Sequence, residues 1–207
     1  MKMRSKSVIL YCSLTAALLL WLAAERAYKT ENAIMRNDAA AQDSTAKMET
    51  AVFGGGCFWG VEHLFGRVPG VVRTKAGFMG GTVANPNYKR VCGGDTNHAE
   101  VVSLQYDPAK ITYRKLAEFF FEIHDPTTPN RQGPDAGTQY RSVIFYCSDA
   151  QKQVAQEIIE QLDKSGKFKR HIVTQIVPTS QFWPAEEYHQ KYFQKNPDKA
   201  SCHFYQP

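Results

Sequence analysis

The chain has 207 residues, enough for one domain or two small ones, and 43% of them are hydrophobic and 12% aromatic. That composition supports a packed core and excludes wholesale disorder. The formal net charge is +5. Residues 1–26 hold four basic residues and one acidic residue, which is +3 of that charge and leaves +2 for the rest. A domain so close to neutral is a poor nucleic-acid binder, so no nucleic-acid partner is expected.

The amino-terminal segment has the pattern of an export signal. Lys2, Arg4 and Lys6 precede a stretch without charged residues, 7–24. A basic region followed by an apolar one is typical of secretory signals, and the stretch is close to the ~20 apolar residues of a spanning helix. Three interpretations stay open: residues 1–26 are a cleaved signal peptide, they are an uncleaved membrane anchor, or the start of the chain is misassigned. The first two predict an exported domain that is periplasmic, secreted or membrane-anchored outside the cytosol.

Residues 27–47 follow this segment and are rich in Ala, Asn, Asp, Gln and Thr. They lack a periodic apolar face, which predicts a flexible linker. No internal repeat or low-complexity tract appears after it. We therefore expect one folded domain over residues 48–207.

Strands and helices are mixed along the predicted domain. In chain order the patterns predict a strand at 49–54, a helix at 57–65, strands at 71–79 and 98–106, a helix capped by Thr112, a strand at 142–147, a helix capped by Ser148, a strand at 171–177 and a short helix at 184–195. Irregular loops are predicted at 85–97 and 125–137. This order fits an α+β fold, a two-layer α/β sandwich with a ferredoxin-like core and an irregular carboxyl-terminal tail.

The five cysteines are widely spaced. Cys12 lies in the leader, and the others are Cys57, Cys92, Cys147 and Cys202. No C-x-x-C pair and no histidine pattern of a zinc enzyme is present, so no metal is expected. Two structural disulfides remain an alternative for an exported chain. Cys147 falls in a predicted buried strand, which favours a small core residue, and the glycine-rich loop around Cys92 favours no particular role.

Cys57 has a distinctive setting. Three glycines precede it, and it falls at the first turn of a predicted helix. Unpaired backbone N–H groups and the helix dipole favour a thiolate at that position. A structural cysteine is the alternative. A dinucleotide-binding fingerprint is excluded because Trp59 occupies the position of its third glycine.

Four sequence blocks carry a family resemblance. Gly56–Gly60, GCFWG, resembles the signature of the A-type peptide methionine sulfoxide reductases, and the blocks 88–102, 124–142 and 182–192 resemble three others in the same order. The resemblance covers about residues 50–202. It implies an α+β sandwich that reduces methionine S-sulfoxide, protein-bound or free, and so repairs oxidised proteins. It also implies no bound cofactor and an external dithiol reductant, a thioredoxin-like protein.

The resemblance assigns a role to each matching position. Cys57 is the nucleophile and becomes a sulfenic acid. Glu100 is the proton donor, and its apolar strand setting favours the protonated form. Tyr88 and Tyr140 match positions whose hydroxyls hydrogen-bond the sulfoxide oxygen, and Asp135 matches a carboxylate that organises the site. Taken singly, each of these has an ordinary structural alternative.

The remaining assignments concern the substrate and recycling. Phe58 and Trp59 match aromatic walls around the substrate S-methyl group, and Cys202, in the tail, is the candidate resolving cysteine. Asn97 departs from the pattern, because the family usually has glycine there; asparagine tolerates the left-handed conformation. Nothing in the sequence favours an obligate oligomer, so we expect a monomer.

Two other hypotheses stay open at this stage. One is a different cysteine-dependent enzyme, of acyl-transfer type, with a histidine such as His98 as its base. The other is a non-enzymatic exported module held by disulfides. The first requires a histidine beside Cys57, and the second predicts that Cys57 is unreactive.

Overall fold

A computed structural model describes residues 48–199 together with Glu25, Arg26 and Lys29. The chain divides into two compact units, 1–46 and 47–207. The three described residues of the first are helical. No helix formed by the described residues is long and apolar enough to cross a membrane. The apolar stretch 7–24 and almost all of the predicted linker lie outside those residues.

The second unit contains the following described elements. In chain order they are β1 (Glu49–Gly55), α1 (Phe58–Phe65), β2 (Val71–Met79), α2 (Tyr88–Cys92), β3 (Ala99–Tyr106), α3 (Tyr113–Glu122), β4 (Arg131–Gln132), β5 (Asp135–Ala136), a 3-10 turn (Thr138–Tyr140), β6 (Ser142–Tyr146), α4 (Asp149–Ser165), β7 (Gln175–Pro178), β8 (Trp183–Pro184), a second 3-10 turn (Glu187–His189) and α5 (Tyr192–Lys195).

Six of the described strands form one mixed sheet in the order β7-β6-β1-β3-β2-β8. All neighbours are antiparallel except β6 and β7, which run parallel. The inner order β6-β1-β3-β2 is that of a split β-α-β arrangement, with α1 and α3 as the connecting helices. The predicted α+β sandwich with a ferredoxin-like core is therefore confirmed.

The main core lies between the sheet and the helices. Phe53 of β1 is fully buried there and stacks on Phe65 of α1 at 5.2 Å and on Phe120 of α3 at 5.0 Å between ring centroids. A smaller apolar cluster covers part of the opposite face of the sheet and includes Val101 and Phe145. Because side chains alternate along a strand, Val101 faces away from the helices while its neighbours 100 and 102 face toward them.

Both predicted helix caps are confirmed. The Thr112 side chain accepts a hydrogen bond from the Lys115 backbone N–H, and the Ser148 side chain accepts one from Gln151. The third predicted boundary differs by one residue, because Cys57 precedes α1 and is not its first helical residue. These caps satisfy backbone donors that the first turn of a helix leaves unpaired.

Three expectations about local structure are wrong. The loop predicted at 85–97 contains α2, because the Asn87 side chain caps it by accepting from the Arg90 N–H at 2.9 Å. The strand predicted at 171–177 is confined to Gln175–Pro178. The helix predicted at 184–195 is split into β8, a 3-10 turn and α5, with Lys191 in the left-handed region at φ 55°.

Cys147 is also not the core residue that the sequence predicts. It is exposed, because β6 ends at Tyr146 and the chain turns there into α4. Its backbone N–H donates to the Gln151 side chain at 2.8 Å. The position therefore belongs to the start of a helix and not to a buried strand.

Candidate active site

Cys57 lies at the junction between β1 and α1. It is half-buried, and its carbonyl accepts hydrogen bonds from the N–H groups of Gly60 at 3.2 Å and Val61 at 3.4 Å. The glycines before it are required by their surroundings. A Cβ added at Gly54 would lie 2.8 Å from the Glu100 carbonyl oxygen, and Gly56 has a φ of 97°. The glycine run therefore allows close strand packing and the turn that presents Cys57 at a helix start.

Glu100 of β3 lies beside that helix start. Its side chain is 1% exposed, and Oε2 accepts a hydrogen bond from the Phe58 backbone N–H at 3.0 Å. Residue 100 faces the helices because its neighbours Ala99 and Val101 belong to the cluster on the opposite face. The carboxyl group is thus held one residue away from Cys57, in a water-poor setting.

Two tyrosine hydroxyls meet near the same carboxyl group. Burial, followed by the charges of Glu100, Cys92, Asp135 and Cys57, raises the pKa of Tyr140 above its ordinary value. Burial, then a hydrogen bond with Cys92 and the charge of Glu100, raises the pKa of Tyr88. Both tyrosines therefore remain protonated hydrogen-bond donors at neutral pH.

The structure thus brings together five of the positions identified from the sequence. Cys57, Glu100, Tyr88, Tyr140 and Asp135 contribute to one electrostatic cluster. They come from the β1–α1 junction, β3, α2, the 3-10 turn before β6, and β5. Elements far apart in sequence converge at one end of the sheet, which gives a thiol surrounded by hydroxyl and carboxyl groups.

Phe58 and Trp59 differ in their accessibility. Phe58 is 1% exposed and packs on Tyr88 at 6.2 Å between ring centroids. Trp59 is half-buried and stacks on Tyr192 of α5 at 3.7 Å with an interplanar angle of 5°. Its indole N–H donates to His189 Nδ1 at 2.8 Å. Trp59 therefore presents a fixed aromatic surface, and Phe58 packs on His189, the residue that accepts from the indole.

Cys92 is a member of this cluster that the sequence did not single out. The neighbouring hydroxyls of Tyr88 and Tyr140 favour the thiolate and lower the pKa of the thiol. Partial burial has a larger, opposite effect, so the pKa is raised overall. The sequence does carry a signal for Cys92, because it follows Tyr88 by four residues and the two would lie on one side of a helix. Since a loop and not a helix is predicted at 85–97, this spacing was not used.

The segment after β8 supplies two more residues that sequence reasoning missed. His189 is buried, and burial lowers its pKa, which keeps Nδ1 free to accept from Trp59. Glu186 Oε1 accepts from the Tyr88 backbone N–H at 3.0 Å. Both fall in the fourth matching block, which was the available signal for them.

This segment is held in place by buried polar contacts. Glu62 of α1 is 2% exposed and accepts from the Lys191 backbone N–H at 2.7 Å and from Thr74 Oγ1 at 3.0 Å. Gln190 accepts from the Ala76 N–H and donates to the Ala76 carbonyl, both at 2.9 Å. We call Glu62, Thr74, Gln190 and Lys191 the latch, because they attach the segment to α1 and β2.

Other candidate residues lie elsewhere. Cys202 is outside the described residues, and no disulfide joins Cys57, Cys92 and Cys147 to one another. The described residues contain no cluster of three or more side chains suited to a metal ion. Both ring nitrogens of His98 are hydrogen-bonded: Nδ1 accepts from the Gly81 N–H at 3.0 Å, and Nε2 lies 2.8 Å from the Val83 carbonyl oxygen. That histidine stabilises a loop, which does not favour the acyl-transfer hypothesis.

An accessible thiol at a helix start, faced by a buried carboxyl and two protonated tyrosines, defines the site of a cysteine-dependent enzyme. Comparison with known proteins defines it further. Residues 49–207 match the family model described as peptide methionine sulfoxide reductase. A peptide methionine sulfoxide reductase MsrA of Methanoculleus marisnigri is 62% identical over 148 residues, 72% of this chain and 90% of the relative.

Solved structures agree with this match. Reduced Mxr1 of Saccharomyces cerevisiae aligns with a TM-score of 0.74 and 44% identity, covering 78% of this chain and 94% of that one. Mxr1 in complex with Trx2 aligns with a TM-score of 0.53 and 29% identity, covering 78% and 92%. The chain belongs to the peptide methionine sulfoxide reductase family, in its A type. It is an enzyme that reduces methionine S-sulfoxide to methionine, and the acyl-transfer alternative is not favoured.

Proposed function

We propose that Cys57 is the nucleophile of this reaction and that the surrounding cluster activates the sulfoxide. The observation that carries this proposal is the position of Glu100, whose carboxyl accepts from Phe58, the residue next to Cys57. A sulfoxide sulfur is electrophilic when its oxygen is polarised or protonated. The Tyr88 and Tyr140 hydroxyls are the donors to that oxygen, and Glu100 is the acid. Asp135 contributes to the charge around Tyr140.

The substrate methyl group lies, in this proposal, against the aromatic wall of Trp59, supported by Phe58. Sulfur–aromatic contacts of this kind contribute ~0.3–1.5 kcal/mol. The wall is fixed by Tyr192 and His189, so little side-chain freedom is lost on binding. Placing the methyl there directs the sulfur toward Cys57 and the oxygen toward the tyrosines.

The chemical steps then balance as follows. The Cys57 thiolate attacks the sulfoxide sulfur, the oxygen takes up a proton from Glu100 and passes to the cysteine sulfur, and methionine leaves. The enzyme retains a Cys57 sulfenic acid. A second thiol displaces water from it and forms a disulfide. A dithiol then reduces that disulfide by thiol–disulfide exchange, and Glu100 regains its proton from solvent.

Cys202 is the second thiol in this proposal, and a thioredoxin-like protein is the reductant. The complex of Mxr1 with Trx2 supports the choice of reductant. The position of Cys202 after Lys195-Asn196-Pro197, in a tail without a predicted element, supports the choice of thiol. No bound cofactor is needed, because all electrons come from thiols.

The physiological setting is also a proposal. We infer that the enzyme is exported through residues 1–26, either after cleavage of a signal or tethered to the membrane through residues 7–24, and that residues 27–47 act as a spacer. The basic and apolar pattern of that segment supports this. The domain at 48–207 works there as a monomer and repairs oxidised proteins.

One assay on the wild-type enzyme and three cysteine variants tests the proposed roles of Cys57 and Cys202. A peptide carrying racemic methionine sulfoxide is incubated with full-length enzyme, and each epimer is followed by chromatography. With dithiothreitol we expect loss of the S epimer only, abolished by Cys57→Ser. With thioredoxin and its reductase, Cys202→Ser should stop after one turnover. Cys147→Ser, at an exposed thiol, is the matched control and should behave as wild type; full recycling by Cys202→Ser would contradict the resolving role.

A further inference from the structure

One buried charge lies outside the cluster around Cys57. Arg141 follows Tyr140 directly and precedes β6, and its side chain is 8% exposed. Nη1 donates to the Thr138 carbonyl at 2.8 Å. Within residues 48–199 the guanidinium forms no ion pair and no further side-chain hydrogen bond. A buried charge without a counter-charge is costly, and burial lowers the pKa of this guanidinium from its ordinary value.

The guanidinium lines a cavity of about 500 Å³. Arg141 is the one charged residue among the described residues that line this cavity. A smaller cavity of about 220 Å³ shares Arg141 with it. The other polar residues that line the larger cavity are neutral: Asn97, Asn130, Thr138, Gln175 and Ser180. A wall with one cation, several amides and hydroxyls and no carboxylate is suited to an anion.

Two backbone features shape this cavity. Gly80 has a φ of 80°, and a Cβ there would lie 3.2 Å from Arg141 Nη2 and 2.7 Å from Phe145 Cζ. Glycine therefore allows the guanidinium to approach the end of β2. Asn97, which also lines the cavity, adopts a φ of 55°. This chain thus adds an amide to the cavity wall at the cost of a left-handed conformation.

We propose that this cavity binds a carboxylate group, held by Arg141 and the side-chain amides of Asn97 and Asn130. A guanidinium is a planar fork that matches the two oxygens of a carboxylate. The bound group is either a small free carboxylate or an acidic side chain of an oxidised protein substrate, since the two share this chemistry. The ligand lies next to the 3-10 turn 138–140, which carries Tyr140 to the catalytic cluster on its other side.

Direct binding is measured on the full chain by ¹⁵N NMR. The Arg141 Nε–Hε signal is assigned by its loss in Arg141→Lys. Sodium acetate is titrated against sodium chloride at equal ionic strength. We expect a saturable shift of this signal with acetate and none with chloride. A shift that fails to saturate, or is equal with chloride, overturns the proposal. This readout does not depend on Cys57 chemistry and so separates the two proposals.

Two variants measure the contribution of the wall. Arg141→Lys retains the charge but loses the fork, so acetate affinity, followed on the other cavity signals, should fall about tenfold, the effect of one charge-assisted hydrogen bond. Asn97→Gly removes the amide at a left-handed position that glycine adopts readily, so it should weaken binding several-fold without affecting folding. Asn85→Gly, at an asparagine with a φ of 48° that does not line the cavity, is the control. If Arg141→Lys fails to fold, unchanged affinity in Asn97→Gly and Asn130→Gly still overturns the proposal.

Peptide substrates distinguish the two sources of carboxylate. Methionine sulfoxide peptides with a Glu at successive positions are compared with their Gln counterparts. A lower KM for one Glu peptide, removed by acetate and by Asn97→Gly, identifies a substrate side chain as the ligand. Equal KM values together with saturable acetate binding identify a free carboxylate. Equal KM values without acetate binding overturn the proposal.

Discussion

The backbone N–H of Phe58 donates to Glu100 Oε2 at 3.0 Å, which joins the start of α1 to the start of β3. The residue before this donor is Cys57, so the position of the thiol and the position of the acid are set by one contact. The bond also supplies an acceptor to a helix-start N–H that has no partner within the helix. The buried carboxyl group and the backbone N–H at the helix start are thus hydrogen-bonded to each other beside the reacting thiol.

Glu100→Gln separates acid chemistry from structure, because the amide oxygen of Gln can still accept from Phe58. We expect kcat to fall ~10²- to 10⁴-fold, the usual contribution of a positioned acid, with a melting temperature close to that of wild type. Single-turnover formation of methionine at stoichiometric enzyme measures the chemical step. Glu187→Gln, at an exposed carboxylate that pairs with Lys195, is the control. Retention of most of the activity by Glu100→Gln would remove the acid role.

Local sequence patterns correctly predict the strands and helix ends that depend on residues close in the chain. The bounds of β2, Val71–Met79, and the caps at Thr112 and Ser148 all follow from nearest neighbours. The segment 183–195 does not follow from them, because Gln190 bonds to Ala76, 114 residues away. Cys92 was overlooked for a related reason, since its role depends on Tyr140, which another part of the chain supplies.

The two tyrosine hydroxyls should act together on the sulfoxide oxygen. We expect Tyr88→Phe and Tyr140→Phe each to lower kcat by ~10- to 100-fold, in the range seen for a lost donor to developing charge, and the double variant to lose more than either. Because burial and nearby charge raise both pKa values, tyrosine ionisation should not limit the rate at neutral pH.

Tyr106→Phe is the matched control for these variants. Its hydroxyl also is hydrogen-bonded, to Glu49 at 2.5 Å, but it belongs to the far end of β3. It should alter stability and leave kcat unchanged. Wild-type kcat in the double variant Tyr88→Phe/Tyr140→Phe would mean that the oxygen is polarised by other groups.

The Trp59–His189 hydrogen bond should make stability depend on pH. Burial lowers the pKa of His189 below 6.5 in the folded state, so the unfolded chain binds the proton more readily. Stability is therefore complete above pH 6.5 and decreases as the pH falls from there toward the folded-state pKa. His189→Asn offers Oδ1 to the indole N–H and should flatten this dependence.

Urea unfolding between neutral and mildly acidic pH measures that slope. His171→Asn, at a histidine whose side chain is 96% exposed, is the control and should leave it unchanged. We also expect His189→Asn to raise KM more than it lowers kcat, because the residue orients an aromatic wall and does not touch the reacting atoms. An identical slope in wild type and His189→Asn would assign the pH dependence to other groups.

Removal of the two charges of the latch should lower the free energy of unfolding by unequal amounts. The Glu62 side chain is 1% exposed and that of Lys191 is 34% exposed, with Lys191 Nζ 3.5 Å from Glu62 Oε1. Glu62→Ala removes the acceptor of the Lys191 N–H and of Thr74 Oγ1, and it removes the counter-charge of Lys191 Nζ, which keeps Thr74 Oγ1 as a partner. We therefore expect a loss of about 3–5 kcal/mol in the free energy of unfolding. Lys191→Met leaves the buried Glu62 carboxylate without its counter-charge but keeps its two hydrogen bonds, from the Lys191 N–H and Thr74 Oγ1, so we expect a smaller loss of about 1–3 kcal/mol.

Both variants should also change substrate binding, because the latch holds the segment that carries His189 and Tyr192 against Trp59. We expect KM to rise in Glu62→Ala at temperatures where the protein is still folded, with kcat reduced less. Denaturant unfolding and steady-state kinetics on the two single variants and the double variant measure the coupling. Equal losses of stability in the two single variants would contradict the unequal burial of the two charges. An unchanged KM in Glu62→Ala would mean that the latch stabilises the fold without positioning the aromatic wall.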